Sequence, residues 1–97
     1  MAMQQILEEN SRIVILRSLL DAGGSANDSI LQTSLNGYGL RLSRDMVKTQ
    51  MYWLSEQGLI SIEMLGSCMI AKLTSHGQDV AEGLAVCPGV KKPRVGV

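Results

Sequence analysis

The sequence predicts one mainly α-helical domain with a small β-hairpin, in the order helix, helix, helix, strand, strand, helix. Three observations carry that expectation. Apolar residues recur at helical spacing over residues 3–21, 28–35 and 43–57. Residues 59–64 and 68–73 read as short strands on either side of a Gly66-Ser67 turn. The length of 97 residues suits one domain and is too short for two.

In the first helix Ile6, Ile13, Leu16 and Leu20 follow helical spacing, with Glu8, Glu9, Arg12 and Arg17 between them. The run Ile13-Val14-Ile15-Leu16 is apolar on more than one face, although a surface helix needs only one apolar stripe. A partner subunit or the strands are expected to cover the second side. Asp21-Ala22-Gly23-Gly24 ends this helix. Ser25-Ala26-Asn27 reads as an extended connector, and Asn27 as the N-cap of a short second helix with Ile30, Leu31 and Leu35 inward. Asn36-Gly37-Tyr38-Gly39 is a turn with Leu40 and Leu42 packed beneath it.

Ser43 caps the third helix, whose core stripe is Val47, Met51 and Leu54 at i, i+4 and i+7. Gly58 follows as the residue after the helix end. Thr74 or Ser75 caps a last helix over residues 75–85, with Val80, Ala81 and Leu84 inward. From Pro88 the composition changes to prolines, glycines and cations without apolar periodicity. Residues 1–87 are therefore expected to form the domain and residues 88–97 a flexible basic tail.

Bulk properties narrow the function. Apolar residues make up 45% of the chain, enough for a real core, but with six Met, one Trp, two Tyr and no Phe that core rests on aliphatic and thioether packing. Nine basic residues balance nine acidic ones. That balance counts against strong sequence-independent nucleic-acid binding, while leaving room for a local basic face. The start of the chain has neither a signal-like nor a membrane-spanning apolar run, so a cytoplasmic protein without membrane association is expected. Cys68 and Cys87 belong to no CxxC pair and read as free thiols, with a redox switch between them as the minor alternative. The single histidine, His76, has no companion ligands or nucleophile, and no phosphate-binding loop occurs. Neither an enzyme nor a metal or cofactor site is expected.

The succession Ser43, Val47, Met51, Leu54, Gly58, Leu59, Ile60 resembles the third helix and following strand of MarR- and ArsR-like winged helix-turn-helix regulators. Leu73, Thr74, Gly77 and Ala81 match a second pattern of that family. The similarity spans residues 5–86 and extends to the small winged-helix proteins of Mu-like prophages. It implies an α-α-α-β-β-α winged helix in which helix 43–57 enters the major groove. Two departures stand against the pattern. The segment Asn36 to Leu42 is longer than a tight helix-turn-helix connection, and the wing tip, Leu65-Gly66-Ser67, carries no cation.

The resemblance assigns duplex contacts to Arg44, Lys48, Thr49 and Tyr52, expected opposite the Val47–Met51–Leu54 stripe. Asp45 among them repels phosphate unless it reads a cytosine. Trp53 is expected to pack in the core or a dimer interface in preference to stacking on a base. Lys91, Lys92 and Arg94 either follow a phosphate backbone or simply solubilise the tail. The leading expectation is a small DNA-binding transcriptional regulator, homodimeric through the first helix. The alternative is a winged-helix adaptor for another protein, without DNA binding.

Overall fold

The computed structural model describes residues 2–93. Its elements are α1 (Ala2–Asp21), β1 (Ser25–Asn27), α2 (Asp28–Gly37), α3 (Arg44–Glu56), β2 (Ile60–Leu65), β3 (Cys68–Leu73) and α4 (Ser75–Ala81). This is the expected mainly helical winged helix with a small antiparallel sheet, in the strand order β1-β3-β2. The hairpin register runs from Ile60 opposite Leu73 to Leu65 opposite Cys68.

The connector Ser25–Asn27 is itself a strand. It pairs with β3, setting Ala26 opposite Ala71. Both alanines are buried on the core side of the sheet, where a larger side chain would push the sheet off α1 and α2. Immediately after it, Asn27 turns from strand to cap and accepts the Ile30 N–H at 2.8 Å.

The core is one cluster drawn from every element. Ile15, Leu16 and Leu19 of α1, Leu31 and Leu35 of α2, Val47, Met51 and Leu54 of α3, and Met69 of β3 are fully buried. The Ile13–Leu16 run needs no partner, because Ile13, Ile15 and Leu16 are buried and Val14 is half-buried within the chain itself. The apolar residues that α1 leaves in solvent lie in its first two turns: Met3, Ile6 and Leu7.

Two inward assignments fail. Ile30 is exposed because α2 turns Leu31 and Leu35, one helical turn apart, to the core. Leu84 is exposed because α4 stops at Ala81, where the Leu84 N–H closes back on the Asp79 carbonyl at 2.8 Å.

One junction sets the wing against α3. The Leu59 N–H donates to Leu54 O at 3.0 Å as the chain leaves the helix, and Leu59 O accepts from Thr74 N at 3.1 Å where β3 ends. The Thr74 hydroxyl donates to Gly58 O at 2.7 Å and accepts from Gly77 N at 3.0 Å, capping α4. Gly77 is buried so closely against this junction that a Cβ there would run into the Leu59 carbonyl.

Residues 88–91, expected in a free tail, are held to the domain. Cys87 and Val90 are buried, and residues 87–91 form a strap across α1 and α3. Arg12 fastens it. The guanidinium lies 3.8 Å from the centre of the Trp53 ring, Nη1 donates to Gly89 O at 2.9 Å, and Nε donates to Gln50 Oε1 at 2.7 Å. Lys91 N donates to Glu9 O at 3.3 Å. Composition suggested a tail because the strap needs no apolar period: one valine, one half-buried glycine and one carbonyl suffice. Arg94 and the residues after it lie outside the described residues.

Two stability outcomes follow from these contacts. Gly77→Ala should lower stability by roughly 2–3 kcal/mol, read as a fall in Tm on thermal denaturation. Arg12→Ala should release the strap and move Trp53 fluorescence to longer wavelength, since the indole loses both its cation and its cover.

Candidate nucleic-acid interface

The α3 helix starts at a standard cap, with Ser43 Oγ accepting the Met46 N–H at 3.2 Å. With Val47, Gln50, Met51 and Leu54 buried, the 3.6-residue period divides the remaining surface into three strips. Asp45, Thr49, Tyr52 and Glu56 point directly outward, and all are exposed. Arg44 and Lys48 lie on the flank facing α2. Met46 and Trp53 lie on the flank facing α1.

The expected contact set is therefore split. Thr49 and Tyr52 do stand opposite the core stripe. Arg44 and Lys48 do not, because both turn toward Asp28 at the start of α2. Arg44 Nη1 and Lys48 Nζ each lie 3.8 Å from the same oxygen, Asp28 Oδ2. Arg44 Nε also donates to Gln32 Oε1 at 3.1 Å, and Gln32 Nε2 donates to Leu42 O at 3.0 Å, tying α2 to the start of α3. Asp28 is 3% exposed, whereas the Arg44 and Lys48 side chains remain 46% and 34% exposed. The two cations thus cover a buried acid and still meet solvent.

Thr49 Oγ1 donates to Asp45 O at 3.0 Å, which leaves its lone pairs and methyl group outward. On the opposite side of the α3 N-terminus, exposed Arg41 lines a groove of about 430 Å³ together with Leu7, Leu40, Leu42, Met46 and Thr49. Arg41 and the Arg44–Lys48 pair therefore bracket the first half of α3.

Lys91 is not part of that bracket. Its Nζ donates to Asn10 Oδ1 at 3.2 Å, on the side of α3 that carries Trp53, and Lys92 follows it exposed. Trp53 is half-buried between Arg12 and Gly89, and so is not placed to stack on a base. At the wing tip, Met64 and Leu65 are exposed, while Lys72, near the base of the hairpin opposite Ser61, pairs with Glu63 at 2.9 Å. Cys68 is exposed at this tip and Cys87 is buried under the strap, both as free thiols.

Sequence reasoning missed Asp28, Gln32 and Arg41. Asp28 read only as the first residue of a helix, and nothing local announces that two cations from the next helix close over it. Arg41 was hidden in a loop judged only by its leucines.

No protein-family model matches the chain. Among solved structures, it is similar to F93 from STIV, a winged-helix DNA-binding protein, with a TM-score of 0.63 and 19% identity over 74% of this chain and 79% of that one. That likeness shows the fold. Among curated proteins, the chain is 43% identical over 77 residues to an uncharacterised protein of Haemophilus influenzae, covering 78% of this chain and 76% of the relative. It is 54% identical over 89 residues to the uncharacterised protein gp26 of Escherichia phage Mu, covering 92% of this chain and 93% of that protein. With so much of both sequences shared, the chain belongs to the family of the phage Mu protein gp26.

Proposed function

We propose that the protein binds double-stranded DNA as a small transcriptional regulator, with the first half of α3 at the major groove. The observation that carries this reading is the bracket of Arg41 on one side and Arg44 with Lys48 on the other. A helix entering a groove has phosphates on both flanks, and cations at those positions meet them. Between them Asp45, Thr49 and Tyr52 face the base edges, where Thr49 suits a thymine methyl and Asp45 a cytosine amine. The role is one of binding, not catalysis. Lys91 and Lys92 add at most a second, separate phosphate contact from the α1 side, and Arg94 follows them in the sequence.

A homodimer completes the proposal, because one module with so few cations needs a second half-site to hold a duplex. The second copy meets the first two turns of α1, where Met3, Ile6 and Leu7 stand exposed. The second reading is a protein adaptor. The acidic residues Asp45 and Glu56 on the outward strip and the cation-free wing tip favour it.

Fluorescence anisotropy with a random duplex of roughly 30 bp, long enough for two half-sites one helical turn apart, separates the two readings. A DNA binder loses affinity steeply between low and moderate salt. Replacing both Arg44 and Lys48 by Ala should weaken binding about tenfold or more and lower the salt slope by at least about one. Absence of binding even at low salt would sink the DNA reading in favour of the adaptor. Sedimentation velocity at micromolar concentration should show a dimer for the native chain and a monomer for Leu7→Glu, with helix content unchanged.

A further inference from the structure

Asp28 is a buried acid placed where a duplex-binding surface needs positive potential. Its Oδ1 accepts the Ser29 N–H at 3.0 Å within the first turn of α2. Its Oδ2 faces Arg44 Nη1 and Lys48 Nζ, both at 3.8 Å. At that distance the pairs are held by charge, with no hydrogen bond between either cation and the carboxylate. The arrangement is asymmetric in burial, with the acid nearly closed off and both cations substantially open. From outside, the flank presents two positive charges over one negative charge, a net of one.

We propose that Asp28 is a positioning residue for the duplex contact, holding Arg44 and Lys48 on α2 and suppressing sequence-independent affinity. The inference rests on the DNA-binding reading above and deepens it. Sequence-independent binding is driven by phosphate neutralisation, so an internal counter-ion beneath the cations weakens it. Base-edge contacts from Asp45, Thr49 and Tyr52 are unaffected by that counter-ion. The counter-ion thus lowers the sequence-independent share of the affinity, and base-edge contacts carry a larger part of what remains. The balanced charge of the whole chain fits the same economy, with nine basic and nine acidic residues and no surplus to spread along a duplex.

The same geometry fixes where the two cations act. Gln32 holds Arg44 Nε, and Asp28 draws both charged ends toward α2. They meet the phosphate strand along that edge of α3 and do not reach over the helix to guanine. Arg44, like Lys48, is thereby a backbone contact.

Asp28→Asn tests the proposal, because asparagine keeps the Oδ1 acceptor for Ser29 and replaces the charged Oδ2 by a neutral amide NH2. Anisotropy with the random duplex is measured across a salt series for the native chain, D28N, the R44A/K48A chain and the triple variant. D28N should bind roughly three- to tenfold tighter at low salt, with a salt slope steeper by about one. That gain should vanish in the R44A/K48A background. Circular dichroism checks the fold, and D28S, which can also cap the Ser29 N–H, serves if D28N melts early. A folded D28N that binds no tighter than the native chain, or a gain that persists without Arg44 and Lys48, overturns the role of Asp28 and leaves DNA binding standing. Failure of both the native chain and D28N to bind at low salt overturns the DNA reading and this inference with it.

Discussion

The crossing of four backbone segments at Gly58, Leu59, Thr74 and Gly77 governs the geometry of everything else. The third helix ends there, the second strand begins, the third strand returns and the last helix starts. Leu59 donates to the helix it leaves and accepts from the strand that returns, so helix and wing cannot rotate independently. Gly77 brings the last helix against the same carbonyl, with no room for a side chain. The outward strip of α3 is aimed by this junction, and the cations at its flanks are aimed with it. A fold with so few aromatic residues has little large-ring packing to set such angles, and a hydrogen-bonded backbone crossing sets them here instead.

Charge is organised locally even though it sums to nothing. The cations around the first half of α3 are divided between two flanks, Arg41 on one and Arg44 with Lys48 on the other, and the second flank is answered by a buried acid from α2. Arg12 spends its charge inside the molecule, against Trp53, Gln50 and Glu8, where it fastens the C-terminal strap. Lys72 is answered by Glu63 on the sheet. Among the described residues, Arg41, Arg44 and Lys48 are left gathered around one helix end.

Much of the scaffold was legible in the sequence because its signals are local. The Val47–Met51–Leu54 stripe and the caps at Asn27 and Ser43 each depend on a few neighbouring residues, and each stands as read. Strand β1 reads as a connector because three residues without apolar alternation carry no strand signal; pairing with β3 makes Ser25–Asn27 a strand. The covering of Ile13–Leu16 by the chain's own elements was one of two alternatives its apolar run left open, whereas the Asp28 clasp and the strap were invisible for a common reason. Each joins residues far apart in sequence through one or two contacts, and no period marks them. The orientation of Arg44 and Lys48 belongs to the same class, since helical spacing places them beside the outward strip but cannot say which neighbour draws them inward.

The strap has a bearing on how this family can vary. Arg12, Trp53 and Gly89 meet in one stack, although Arg12 and Gly89 lie at opposite ends of the chain. A Cβ on Gly89 would come within 2.7 Å of the Trp53 ring, and the positive φ of 95° disfavours a side chain there even beside a smaller residue at position 53. With a smaller ring, the arginine in turn loses the face it rests on. In alignments of relatives these three columns should change together or not at all, and a member lacking the tryptophan should have a different ending after its last helix.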